Sequence, residues 1–506
     1  MTDKVPIRRL STGVPGLDAV LGGGLPEFSF NVVAGAPGAG KTTLVQQIMF
    51  TLARPDRPAL YFTVLGEPPL KMLRYQQQFE FFNIAEVNAS VRFISLAKEA
   101  LEGGLDVVLR RIVQEVEAAS PAIVVVDSFR SVIETAKRQN GGVDLQHFIQ
   151  DLGMRLTGWQ ATTFLVGEFQ LTETEDHPVF TVADGLVWLY QSLDRNSMVR
   201  KMHVMKMRGQ APIPGLHTFR ITDSGIQVFP RLILSPDTPP VGGEAKTKHR
   251  PPRMSVGATR LDEMLGGGIP SGQSVLVAGP SGSGKTVLAT QFIREGVHRG
   301  EPGVIAIFEK RPDEYAQTSA IGLDQAVRDG QVGIIHTRPL DLSIDETQHE
   351  LTTAIERLKA RRVVIDSLSG FELALAPTFR EDFRESLYRL VAALTGMGVT
   401  VMMTAELEDA YTHLRFSPHG TAFLTDAIIL QRYLELEGRL QRVMAVVKVR
   451  ASAHSKDLRL FEISADGITV GERVGDYEGL LTGSPHVVSA ERQRPWPRAR
   501  SRRPRS

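Results

Sequence analysis

Two segments of the chain carry the most specific chemistry. Residues 35–42 read GAPGAGKT and residues 279–286 read GPSGSGKT, both of the form G-x-x-x-x-G-K-[ST]. Glycines at fixed places let the backbone curl until successive N–H groups point inward at a phosphate. The helix expected behind each loop adds the positive end of its dipole. The first cradle is Gly35, Ala36, Pro37, Gly38, Ala39, Gly40, Lys41, Thr42 and Thr43. The second is Gly279, Pro280, Ser281, Gly282, Ser283, Gly284, Lys285, Thr286 and Val287. Lys41 and Lys285 are expected to neutralise β- and γ-phosphates, and Thr42 and Thr286 to ligate Mg²⁺. Asp127 and Asp366 end the apolar runs IVVVD and VVID. A carboxylate there can hold the Mg²⁺ shell or its waters, although an aspartate also caps turns after strands. One glycine-rich match alone leaves room for a turn that happens to hold a lysine. Two at equivalent places argue for ATP and Mg²⁺.

The equivalence comes from an internal repeat. STGVPGLDAVLGGGLP at 11–26 is answered by SVGATRLDEMLGGGIP at 255–270, and Asp18 and Asp262 are separated by 244 residues, as are Gly35 and Gly279. KMR at 206–208 matches KVR at 448–450, and ITDSGI at 221–226 matches ISADGI at 463–468. The period is too long for a solenoid, so a domain is duplicated.

Short apolar runs at 29–35, 59–64, 123–126, 162–167, 186–190 and 274–279 alternate with helix-like stretches such as 106–119 and 383–396. Fully apolar strands between helices imply a parallel sheet covered on both faces. The expected fold class is α/β, with two tandem P-loop domains at 1–234 and 254–480. A Pro/Gly-rich linker at 235–253 separates them, and a basic tail follows at 481–506. Hydrophobic residues make up 42% and charged residues 23%, ordinary for a globular chain. The absence of cysteine rules out disulfides, thiolate zinc sites and a cysteine nucleophile. With no visible signal segment and no long apolar run, no membrane association and a cytoplasmic location are expected. The formal charge of +1 conceals seven arginines in residues 492–506; without them, 57 acidic residues face 51 basic ones. That tail can attract nucleic acid or an acidic partner, with Trp496 able to stack on a base, or it can be a solubilising end.

The opening STG…GLD…GGGLP, the P-loop, the V-V-I-D-S strand and the K-x-R triplet, in order and twice, resemble the KaiC-like family of RecA-like ATPases. The resemblance spans roughly residues 8–475. It implies a homohexamer with ATP at subunit interfaces and a regulatory protein partner. It also implies that Lys206 with Arg208, and Lys448 with Arg450, act in trans on the γ-phosphate held by the next subunit, where cations stabilise transferring charge. Without the resemblance, each pair reads as two basic residues on one strand face. Preference for adenine rests on the resemblance.

The chain departs from the family at two places. Where adjacent glutamates would activate water, the first repeat reads FTVLGEPP, with Leu65-Gly66 in their place and Glu67 one position late; the second reads AIFEKRP, with Glu309 followed by Lys310. Glu309 is the better general-base candidate, Glu67 serving only if its loop shifts; both repeats are expected to be slow ATPases, the first mainly binding ATP. Serine/threonine autokinase activity is implied by family, yet Ala422 and Phe423 precede TDAIIL where the family carries its phosphate acceptors. Ser417, Thr421 and Thr425 are the hydroxyls nearby. Glu168 and Glu406 end a further strand in each repeat and read as facing the nucleotide or as solvated strand ends. Three functions stand at this point: a slow ATPase whose assembly follows its nucleotide, a RecA-type DNA-processing motor, and an ATP-glued signalling scaffold.

Overall fold

The computed structural model describes residues 7–63, 69–102, 104–131, 143–158, 160–173, 178–194, 197–231, 252–309, 311–318, 323–336, 343–375, 383–407, 424–436, 438–450, 452–475, 477–478 and 486–487. Glu67, Lys310, Ser417, Thr421, Ala422, Phe423, most of the linker and the arginine-rich end lie outside them. The chain divides into two compact units, the first up to residue 233 and the second from 234 apart from three residues at 376–378.

The first unit is built on nine strands: β1 (Phe30–Gly35), β2 (Ala59–Thr63), β3 (Val91–Ser95), β4 (Ile123–Asp127), β5 (Thr162–Gly167), β6 (Gly185–Asp194), β7 (Ser197–Met207), β8 (Leu216–Thr222) and β9 (Gly225–Phe229). Their order in the sheet is β3-β2-β4-β5-β1-β6-β7-β8-β9. The run from β3 to β6 is parallel, and β7, β8 and β9 extend it antiparallel. The second unit has β10 (Ser274–Gly279), β11 (Gly303–Ile307), β12 (Val332–His336), β13 (Arg362–Asp366), β14 (Thr400–Glu406), β15 (Ala427–Leu436), β16 (Arg439–Val449), β17 (Arg459–Ser464) and β18 (Gly467–Arg473). Its order, β12-β11-β13-β14-β10-β15-β16-β17-β18, reproduces the first sheet strand for strand.

Successive residues of the central strands enter different cores, as a period of two requires. Phe30, Val32 and Ala34 pack with Val108, Ile112 and Val116 of the helix Gly104–Ala119, while Val33 packs with Leu44, Val45 and Ile48 of the helix Lys41–Leu52. The second unit divides likewise between the helices Ile344–Leu358 and Phe383–Gly396 on one face and Lys285–His298 on the other. Each unit is therefore a RecA-like α/β domain with helices on both faces of a mostly parallel sheet.

The repeated N-terminal motif has a structural role. The Asp18 carboxylate accepts from Thr12 N at 2.9 Å and from the hydroxyls of Ser11 and Thr12 at 2.6 Å each. Asp262 accepts from Val256 N at 2.9 Å and Ser255 Oγ at 2.6 Å. Paired strand structure continues beyond the second sheet, with Tyr477–Glu478 antiparallel to His486–Val487.

Candidate nucleotide sites

Each phosphate loop leaves the C-terminal end of the central strand, β1 or β10, and enters a helix beginning at the lysine. Gly40 and Gly284 cap those helices at φ 97° and 101°. A Cβ there would also lie 2.7 Å from Ile221 Cδ1 in the first unit and 2.6 Å from Ile463 Cδ1 in the second. Glycine is required by both conformation and space.

Both lysines fold back over the loop. Lys41 Nζ donates to the Ala36 carbonyl at 2.8 Å, and Lys285 Nζ to those of Gly279 and Pro280 at 2.9 and 2.8 Å. Burial pushes each ammonium below its usual 10.5, against the pull of nearby carboxylates: Glu168 and Asp127 at Lys41, Glu406, Asp366 and Glu309 at Lys285. Glu168 and Glu406 thus act electrostatically on the phosphate lysines while remaining exposed. The sheet explains their position, since β14 runs beside β10 and pairs Glu406 with Gly279.

Asp127 and Asp366 end β4 and β13 beside these loops. Thr42 Oγ1 donates to Asp127 Oδ2 at 2.7 Å, and Tyr61 donates its phenol to the same oxygen at 2.5 Å. Burial raises the Asp127 pKa, and the Tyr61 and Thr42 hydrogen bonds and the Lys41 charge oppose it. Asp366 accepts from the Tyr315 phenol at 3.0 Å and from the Thr404 hydroxyl. Burial holds both phenols well above 10, so each stays a neutral donor. The two tyrosines are not repeat equivalents: Tyr61 lies on β2 and Tyr315 on the helix Pro312–Thr318. Sequence reasoning missed both, because nothing in the strand pattern distinguishes a core tyrosine from one that meets a carboxylate. In each unit the peptide bond after the aspartate, Asp127–Ser128 or Asp366–Ser367, is cis.

In the second unit Thr286, Glu309, Tyr315, Asp366 and Ser367 line one cavity of about 40 Å³. The expected metal ligands and the expected base therefore share a site. A larger cavity of about 300 Å³ in the first unit, lined among others by Arg8, Leu10, Ile123 and Thr162, lies at the opposite end of the strands from the P-loop.

The K-x-R pairs also lie away from their own loops. Lys206 is paired with Leu186 near the start of β6, and Gly185 with Asn31 at the start of β1, whereas Gly35 ends β1. Leu186 itself lies beside Val32, so three residues of strand, roughly 10 Å at about 3.3 Å each, separate Lys206 from the level of Gly35. Lys206 Nζ donates to the Phe180 and Thr181 carbonyls at 3.3 and 3.1 Å, and Arg208 pairs with Asp184 at 3.0 Å. Lys448 Nζ donates to the Thr425 carbonyl at 2.6 Å, and Arg450 lies 4.0 Å from Asp426. The strand register shifts at the same place in both units, between Leu186 and Val187 and between Ile428 and Ile429.

The donors fit a magnesium nucleotide. Among the described residues no cluster of three or more His, Asp or Glu forms a metal cage. A hydroxyl and one carboxylate beside a phosphate cradle suit Mg²⁺, which keeps waters and phosphate oxygens in its shell. The family model for the KaiC ATPases matches residues 10–233 and 254–475. The chain belongs to the KaiC ATPase family. It is 25% identical to the circadian clock oscillator protein KaiC of Picosynechococcus sp., covering 96% of this chain and 94% of that protein. Circadian clock oscillator protein KaiC 1 of Synechocystis sp. is 25% identical over 96% of this chain and 93% of its own. Circadian clock protein KaiC3 of the same organism is 25% identical over 95% of each. Within this KaiC-family chain the repeats differ in sequence at one place that lines the second cavity: Glu309 stands there, and Leu65 stands at the matching position of the first repeat. Among the described residues no helix is long and apolar enough to cross a membrane.

Proposed function

We propose that the chain binds ATP with Mg²⁺ at both P-loops and hydrolyses it slowly at the second, with the first serving mainly as a binding site. The observation that carries this is the shared cavity of Thr286, Glu309 and Asp366. When bound, ATP·Mg²⁺ supplies the phosphoryl group and the cation that neutralises its oxygens. The residues of this chain would do the rest. The P-loop amides and Lys285 would hold the phosphates, Thr286 and Asp366 would hold the metal shell, and Glu309 would take the proton of the attacking water.

The two units, with boundaries near 1–234 and 254–480, would assemble into a ring in the cytoplasm through nucleotide held between subunits. The Lys206–Arg208 and Lys448–Arg450 pairs support this reading, because each lies at the wrong end of its sheet to reach its own P-loop. A ring that responds to nucleotide also suits a signalling or clock-like role, the relatives being named circadian clock proteins, with a regulatory protein as partner. Self-phosphorylation is the weaker part of the family pattern here, since Ala422 and Phe423 lack a hydroxyl. Incubation of the purified protein with ATP·Mg²⁺, followed by phosphate release and intact mass, tests this: free phosphate without an 80-Da gain is expected. An unchanged monomer on size exclusion with and without ATP·Mg²⁺ contradicts the ring.

A further inference from the structure

Glu309 is met from two sides, by Ser367 and by Gly370. Ser367 directly follows Asp366, and its hydroxyl donates to Glu309 Oε1 at 2.8 Å. The same hydroxyl accepts from Gly370 N at 3.0 Å, as the N-cap of the helix Leu368–Ala374. A serine hydroxyl has one proton and two lone pairs. With a lone pair taken by the Gly370 amide, its proton is committed to the glutamate.

Gly370 supplies the space. A Cβ built on it would lie 2.5 Å from Glu309 Oε1, 2.8 Å from Cγ and 3.0 Å from Cδ. Glycine is second only to proline as the poorest residue for a helix interior. Gly370 sits inside a helix without a positive φ, so room for the carboxylate explains it better than backbone conformation.

The first repeat keeps the serine, as Ser128, but not the glycine or the glutamate. Counting from Asp127 and Ser128 against Asp366 and Ser367, Ser131 stands where Gly370 is, and Leu65 stands where Glu309 is.

We infer that Ser367 and Gly370 are positioning residues that fix the Glu309 carboxylate for water activation in the second repeat. The inference rests on the reading of Glu309 as base. In the step concerned, Glu309 takes a proton from water as the water oxygen bonds to the γ-phosphorus. The bond from that phosphorus to the bridging oxygen breaks, and its electron pair leaves with ADP. Anchoring Oε1 leaves Oε2 for the water.

Steady-state ATP hydrolysis by the full chain, with thermal melting alongside, tests this in Glu309→Gln, Ser367→Ala, Ser367→Thr and Gly370→Ala. Ser367→Ala is expected to lower kcat about tenfold, the scale of a lost charge-assisted hydrogen bond, with KM for ATP within about twofold. Ser367→Thr keeps hydroxyl and cap and restores most of the rate. Gly370→Ala lowers kcat to a similar degree while melting stays level or rises, since alanine favours the helix. If Glu309→Gln is slow but Ser367→Ala and Gly370→Ala turn over normally, the positioning role is wrong and the base stands. Wild-type turnover by Glu309→Gln overturns both. A Ser367→Thr protein as slow as Ser367→Ala, or rate losses matched by lower melting temperatures in both Ser367→Ala and Gly370→Ala, overturns the positioning role.

Discussion

Arg208 closes on Asp184 at 3.0 Å, and Asp184 Oδ2 accepts from Phe30 N at 3.0 Å, at the opposite end of β1 from the phosphate loop. Arg450 stands in the same relation to Asp426, whose Oδ2 accepts from Ser274 N at 3.0 Å. Each arginine is tied to the start of its own central strand. In the proposed head-to-tail ring, a cation placed there would serve a neighbour's nucleotide. Lys285→Ala and Arg450→Ala should therefore be inactive alone and complement one another when mixed. Random co-assembly pairs an intact Lys285 with a neighbour's intact Arg450 at about one interface in four, so recovery near a quarter of wild-type phosphate release is expected. No recovery contradicts action in trans.

Gln47 pins the P-loop helix to the far edge of its sheet. Its Oε1 accepts from Ile226 N at 2.7 Å and its Nε2 donates to the Ile226 carbonyl at 3.3 Å. Gln291 makes the same pair with Ile468 at 2.8 and 3.4 Å. Gln47→Ala strands a buried amide, at a cost of about 1–3 kcal/mol. Calorimetry should show the first unit melting lower by about 2–4 °C per kcal/mol. An unchanged melting temperature would mean that water replaces the glutamine.

Arg362 is fully buried at the start of β13. Its Nε and Nη2 donate to Glu301 Oε2 at 2.9 and 2.7 Å, and its Nη1 to the Ser255 and Phe292 carbonyls at 2.7 and 2.9 Å. Glu301→Ala leaves a buried guanidinium without its counter-ion and should destabilise the second unit by about 3 kcal/mol or more in urea titration. A loss below about 1 kcal/mol, the level of an exposed pair, contradicts this.

Burial places the Lys285 pKa below 10.5 in the folded protein, while the unfolded chain keeps the ordinary value. Between those values the unfolded chain holds more protons, so the contribution of this lysine to stability rises with pH and is complete above 10.5. Without nucleotide, wild type should gain stability relative to Lys285→Met as pH rises toward 10.5. A difference that does not change with pH would place the ammonium in solvent.

The P-loops, their lysines and the two strand-end aspartates were legible because fixed spacing and repetition leave few alternatives. Six core strands were legible as apolar runs. Val91–Ser95 was not, because its VRFIS mixes exposed and buried positions. Glu309 could be read from its place after β11, but its seat could not: Ser367 and Gly370 meet it only because β13 lies beside β11. The phenols on Asp127 and Asp366 were hidden for the same reason, coming from different elements in the two units. Glu168 and Glu406 were left between facing the nucleotide and ending a strand in solvent; both are exposed, and both raise the pKa of the phosphate lysine beside them.

Phosphate release by purified Lys41→Ala and Lys285→Ala, each beside wild type in saturating ATP·Mg²⁺, tests the central claim most directly. The second site is expected to carry turnover. Lys285→Ala should therefore lose activity on the order of a hundredfold, as when a transition-state charge partner is removed, while Lys41→Ala keeps most of it. Undiminished release by Lys285→Ala would contradict the account.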